Sequence, residues 1–202
     1  MKYITIEDIE NYILKEIDTS FEPQIEAWAD SIEDYIEQIT GRVFVADEES
    51  SEKLYEVTPK YDQGSLAGYE EDITELDIDE CIEVTKLSID GEEIDDDEYL
   101  LYPANSIPKN KIRFKSTSSE EFTIGDQNIA VEAKWGYSEY CPAAIKLATI
   151  ILTVGVMNYG KGSKTVRSET IGNYSVTYKD ELGWQDFDKA MAILNQYKKI
   201  VI

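Results

Sequence analysis

Three stretches of this chain hold residue types that could do chemistry. Gly155-Val156-Met157-Asn158-Tyr159-Gly160-Lys161-Gly162 comes within one residue of a phosphate-cradling P-loop. In such a loop a Lys reaches the phosphates and a Ser or Thr hydroxyl binds magnesium. Gly162 stands where that hydroxyl belongs. A P-loop also leaves a strand and opens a helix, whereas this run reads as a helix closing into a loop. Gly160 as a helix C-cap accounts for the same residues. Asp95-Asp96-Asp97-Glu98 and Glu70-Glu71-Asp72 gather the carboxylate oxygens that hard cations prefer. They lack the spacing of an EF-hand loop, with its central Gly and terminal Glu. A solvated acidic turn is the simpler account. With 42 acidic residues, carboxylate pairs suited to glycoside hydrolysis can be chosen almost anywhere, so that signal decides nothing.

Histidine is absent. That removes Ser-His-Asp and Cys-His nucleophile systems, most catalytic zinc sites and the usual near-neutral acid/base group. Cys81 and Cys141 lie far apart, too few for a disulfide framework and too distant for zinc-ligand spacing, and read as buried free thiols. The expectation is a protein that is no enzyme, with no catalytic residues, no cofactor and no metal site.

Charge is the next constraint. The net charge is −23, and residues 1–100 hold 32 acidic side chains against 6 basic ones. Residues 101–202 reverse this, with 10 acidic against 13 basic. No basic stripe able to grip a phosphate backbone is present, which argues against ordinary nucleic-acid binding. An acidic half can keep a protein soluble, repel DNA or meet a basic partner. The one basic cluster is Lys161, Lys164 and Arg167. It reads equally as a solvated loop or as a contact for phosphate or an acidic neighbour, including another copy of the chain. No apolar run reaches the roughly 18 to 20 residues that span a bilayer, and Met1 to Glu7 lacks the basic and apolar regions of a signal peptide. No membrane association and a cytoplasmic site of synthesis are expected.

The elements that must position these residues follow from periodicity. Thr5 with Glu7 and Asp8 opens a helix over 5–17, with Ile6, Ile9, Ile13 and Ile17 on one face. A second helix starts near Glu22-Pro23, buries a stripe from Ile25 to Ile39, and ends at Gly41. Period-two patterning then predicts strands at 53–58, 82–89, 98–102, 111–115 and 128–135. Asp90-Gly91 makes a type I′ hairpin turn between two of the short runs. Residues 61–80 read as a long acidic loop with a short strand or turn around 73–78. A third helix over 142–159 is apolar on nearly every side, which places it in a core or at a subunit interface. After a basic loop, Ile171-Gly172-Asn173-Tyr174-Ser175-Val176-Thr177-Tyr178 alternates as a short arm, with Tyr174, Val176 and Tyr178 on one face. A lone strand of that length needs a partner, either the preceding sheet or another chain. A fourth helix runs over 184–199.

These elements predict an α+β chain: a small four-helix bundle interrupted by an inserted antiparallel β subdomain, with a short projecting β arm between helices three and four. The bundle comprises 1–42 plus 137–202, and the insert comprises 43–136.

Several of these motifs together resemble the head–tail connector family of tailed bacteriophages, also called head-completion or adaptor proteins. The resemblance is carried by the opening helix pair ending in Ile39-Thr40-Gly41-Arg42, and by Trp135-Gly136-Tyr137 followed by Pro142 and an apolar helix. The arm from Ser168 to Tyr178 is its most specific part. It covers both ends of the chain, about 1–45 and 130–202. The sheet between them is larger than the family's minimal pattern, which leaves the role of the insert undefined by the resemblance.

Membership implies a structural virion protein, assembled in the host cytoplasm and located at the head–tail interface. It implies a homo-oligomeric ring, expected to be twelvefold, between the portal protein and the tail or a second connector protein. Genomic DNA would pass through its channel without specific binding. Lys161, Lys164, Arg167, Ile171, Tyr174, Val176 and Tyr178 are the expected contacts to a neighbouring subunit or the portal. The alternative is a stand-alone acidic binding module, a DNA mimic aimed at a basic host protein. Charge favours that alternative, but it leaves the apolar third helix and the arm without a purpose.

Overall fold

The computed structural model describes residues 1–57, 73–160, 169–171, 174–176 and 184–199. The chain divides into two compact units, residues 1–42 with 141–202, and residues 43–140.

In the first unit, α1 (Ile6–Ile13) opens with a capping box. The Asp8 N–H donates to Thr5 Oγ1 at 3.2 Å, and the Thr5 N–H donates back to Asp8 Oδ2 at 2.9 Å. The helix is shorter than its apolar spacing suggests. Leu14 takes a left-handed conformation, φ 54°, and its N–H caps Glu10 O. Ile17 therefore lies beyond the helix, its N–H held by Glu10 Oε1 at 2.7 Å. Helix α2 (Glu22–Thr40) carries Pro in its first turn and ends at Gly41, φ 68°. Its buried Glu33 accepts the Lys2 and Tyr3 N–H groups at 2.7 and 2.9 Å, pinning the preceding backbone to the helix. Helices α3 (Ala143–Gly160) and α4 (Trp184–Gln196) complete this unit's helices. Ile9, Ile25, Ala29, Ile36, Ile145, Ala148, Leu152, Ala190 and Leu194 form its core. No described helix is long and apolar enough to cross a membrane.

The second unit is a six-stranded antiparallel sheet in the order β1-β6-β2-β5-β4, with β3 paired to the far end of β2. The strands are β1 (Ser51–Val57), β2 (Glu75–Ile89), β3 (Glu92–Ile94), β4 (Tyr99–Tyr102), β5 (Lys109–Phe114) and β6 (Gly125–Trp135). The 15-residue β2 is the spine, pairing β6 along one edge and β5 then β3 along the other. Its inner residues Leu76, Ile78, Cys81, Leu87 and Ile89 pack with Ile112, Phe114, Phe122, Ile129 and Val131. The expected Asp-Gly turn is present: Ile89 pairs with Glu92, and Asp90 and Gly91 both have positive φ.

Three corrections to the sequence reading follow. The chain is not a four-helix bundle with a β insert. Its largest structural element is the six-stranded sheet with a core of its own, while α1 spans only two turns. Of the run 61–80 read as an acidic loop with a short strand or turn around 73–78, residues 61–72 lie outside the described residues, and from Glu75 onward it is the start of the 15-residue β2, whose acids alternate with buried Leu76 and Ile78. Alternation governs burial there, and acid density disguised it. The arm is also not a single strand: β7 (Glu169–Ile171) and β8 (Tyr174–Val176) pair with each other in a two-stranded sheet.

Candidate functional site

Helix α3 is the most apolar element of the first unit, with Lys146 as its one charged side chain in 18 residues. Ile145, Ala148, Thr149, Ile150, Leu152, Thr153, Val154 and Met157 are buried. Ala143, Leu147, Gly155 and Val156 are exposed at separate points around the helix, Leu147 by 42%. A β-carbon built on Gly155 would meet nothing within 4 Å. This helix is fixed at its start by Lys146, whose ammonium lies 2.8 Å from Asp8 Oδ1 on the capping box of α1. Burial on its own would raise the Asp8 carboxyl, but the Lys146 ammonium and the Thr5 backbone N–H and hydroxyl outweigh it and hold the group below the ordinary carboxylate range.

The Thr40-Gly41-Arg42 run is a clasp between the ends of α2 and α4. Thr40 Oγ1 donates back to Ile36 O at 2.6 Å, and Gly41 provides the left-handed cap. Arg42 Nε donates to Tyr197 O at 2.6 Å, and the Lys199 N–H donates to Thr40 O at 2.8 Å. Carbonyls left open at two helix ends are satisfied together, which gives these three residue types a structural reason.

Trp135-Gly136-Tyr137 does similar work inside the second unit. The Gly136 N–H donates to Glu80 O, the Tyr137 N–H to Val43 O, and the Ala46 N–H to Ser138 O. Trp135 Nε1 donates to Ser51 O at 2.8 Å, and Lys53 Nζ sits 4.4 Å above the indole. Burial pushes the neighbouring Tyr55 hydroxyl up to about 12 and the Cys81 thiol up to about 11. These groups are protonated and structural at neutral pH. Cys141 in the first unit is likewise pushed up, to about 12, by burial and then by the Glu33 carboxylate.

The expected contact residues are placed only in part. Ile171 and Tyr174 are cross-strand partners, and Val176 pairs with Glu169. Lys161, Lys164, Arg167 and Tyr178 lie outside the described residues. The hairpin signal was present in the sequence: Gly172-Asn173 between Ile171 and Tyr174 is a two-residue connection of a favoured type. The P-loop-like run has its Gly155 and Gly160 inside α3, so no strand leads into it. Among the described residues no group of three or more His, Cys, Asp or Glu side chains is arranged to hold a metal ion. The sequence reading missed the exposed apolar residues of the first unit, Leu147 and Val156 on α3 and Leu14 and Phe21 beside the α1–α2 turn. Composition cannot find them, since an exposed and a buried apolar residue look alike in sequence.

No protein-family model matches the sequence, and no curated protein matches it. Solved structures do share the fold. A chain from the neck of a native gene transfer agent (GTA) particle, computed with C12 symmetry, superposes with a TM-score of 0.53 at 10% identity. That match covers 100% of this chain and 96% of the other. A chain from the neck of the empty GTA particle, computed with C6 symmetry, gives 0.56 at 9% identity, covering 98% of this chain and 91% of that one. A chain from the virion of the native particle gives 0.52 at 12% identity, with 98% and 91% covered.

Proposed function

We propose that this chain is a structural virion protein of a tailed phage or phage-like particle, forming a ring between portal and tail. In this role it completes the head, extends the DNA channel and offers a platform to the tail or a second connector protein. It catalyses nothing. The observation that carries the reading is the fold shared with GTA neck chains over nearly the full length of both partners. Those necks were computed with twelvefold and sixfold symmetry, and a twelvefold ring is the expectation for this chain.

The physical features agree with such a role. A ring subunit needs a well-packed body and lateral surfaces that fit a neighbour. The clasp of Thr40, Gly41 and Arg42 ties the ends of α2 and α4 together, and α3 leaves Leu147 and Val156 exposed. The hairpin β7–β8 and the cations Lys161, Lys164 and Arg167 are further contact candidates for a neighbour or the portal. A net charge of −23 suits a channel past which DNA slides without being held.

Cryo-electron microscopy of the particle that contains this protein tests the reading. A ring of copies between portal and tail is the expected result. Free monomers bound to a basic host protein, with no portal contact, would replace it with the acidic-module alternative.

A further inference from the structure

We infer that the β4 edge of one copy pairs in parallel with the β1 edge of the next, so that the sheets of the second unit join side by side around the ring. The inference rests on the ring reading above and names a lateral contact within it.

Strand register fixes which backbone groups the two outer strands leave open. The Lys115 N–H donates to Glu98 O, and β4 pairs with β5 from Tyr99↔Phe114 to Tyr102↔Lys111. Glu98, Leu100 and Tyr102 therefore turn their backbone groups toward β5, and Tyr99 and Leu101 turn theirs away from the sheet. On the other side, the Asp90 N–H donates to Asn128 O, which turns Asn128 toward β2 and Ile129 toward β1. Ile129 and Val131 pair with Tyr55 and Lys53, so the N–H and C=O groups of Glu52 and Leu54 face outward. Among the described residues no hydrogen bond takes up the outward groups of these four residues. A cleft of about 470 Å³ touches all four residues of β4. Their side chains alternate between faces, so the open space runs along the edge of the strand.

Sheet polarity and charge select a second copy as the occupant. Four antiparallel pairings separate β1 from β4, so the two edge strands run in the same direction. With faces aligned, β4 meets β1 of another copy only in parallel, and the same step repeated closes a ring. Joining β1 to β1, or β4 to β4, is two-fold and stops at a dimer. One parallel register sets Leu101 opposite Lys53 of the next copy. The Leu101 N–H then donates to Glu52 O, the Leu54 N–H to Leu101 O, and the Glu52 N–H to Tyr99 O. Glu52 and Glu56 have no ion-pair partner among the described residues. That register puts Glu52 beside Leu100, one strand from the half-exposed Arg113. Glu56 reaches the end of β4, where Lys109 Nζ rests on the Pro103 and Ala104 carbonyls at 2.6 and 3.2 Å. Acids on one edge and cations at the other fix which edge joins which.

The test uses the full-length protein, in rings assembled in solution or isolated with portal-bearing particles. Leu54→Pro removes an outward N–H while the Lys53 and Tyr55 bonds to β6 stay, so melting should remain near wild type. Leu54→Lys keeps that N–H but charges the edge, which gives a second variant free of backbone change. In sedimentation velocity each variant should associate at least about tenfold more weakly than wild type. Hydrogen exchange reads the pairing directly: the Glu52, Leu54 and Leu101 amides should exchange at least about tenfold more slowly in wild-type rings than in dissociated subunits. Rings in which these amides exchange as fast as in the free subunit overturn the inference and leave the ring reading standing. Rings that form as readily from Leu54→Pro as from wild type do the same. A wild type that is monomeric in solution and missing from portal-bearing particles overturns both.

Discussion

Gly136 and Ala46 meet backbone to backbone: a β-carbon on Gly136 would lie 2.4 Å from Ala46 Cα and 2.7 Å from its nitrogen. Gly136 also has φ +147°, where a side chain is strained whatever the space. Gly136→Ala should therefore separate residues 43–46 from the end of β6 and cost about 3 kcal/mol. Urea unfolding followed by Trp135 fluorescence would show it. A variant as stable as wild type would mean that this backbone contact is not made.

Arg42 is the corresponding tie in the first unit. Arg42→Ala removes the charged donor from Tyr197 O and should cost about 1.5–3 kcal/mol. Lys cannot reproduce the fixed guanidinium geometry, so Arg42→Lys should rescue little of the loss. Hydrogen exchange is the sharpest readout: the last turn of α4 should exchange faster in both variants, while β2 and β6 keep wild-type protection.

Gly155 makes the opposite prediction. It lies inside α3 with open space around its missing side chain and carries no positive φ. Gly155→Ala should stabilise the isolated subunit by about 0.8 kcal/mol through reduced chain entropy in the unfolded state. The check is the denaturation midpoint, which should move up.

The Asp8–Lys146 pair sets a pH dependence. The folded Asp8 carboxyl titrates below its unfolded value of about 3.9. Its contribution to stability is then complete above that value and is lost as pH falls through the lower, folded value. Wild type should lose more stability than Asp8→Asn on acidification from pH 5 to about pH 3. Since the pair is near the surface, added salt should shrink the difference. Parallel pH profiles for the two proteins would count against the pair.

Both thiols should be inert in the native state. Cys81 and Cys141 are shifted up to about 11 and about 12, so the thiolate fraction at pH 8 is very small and burial restricts access. A thiol reagent at pH 8 should label neither residue until the protein is unfolded.

Local signals were decided within a few residues and were readable from the sequence. Thr5 with Asp8 forms a capping box, Gly41 caps α2, and Asp90-Gly91 turns a hairpin, since each depends on backbone geometry that only a few residue types favour. The one-sided apolar stripe of α2 was legible for the same reason. Other features depended on neighbours distant in the chain. Glu75 to Glu80 is dense in acid, and only pairing with β5 puts Leu76 and Ile78 inside and the acids outside. Leu14 has nothing in its type to mark it as the residue that ends α1, and α3 has no polar face to mark which of its residues are covered. Sequence determines what a segment can bury. Only the packed tertiary structure decides which apolar residues are covered and which are left for another chain, because burial is a property of the neighbours and not of the residue.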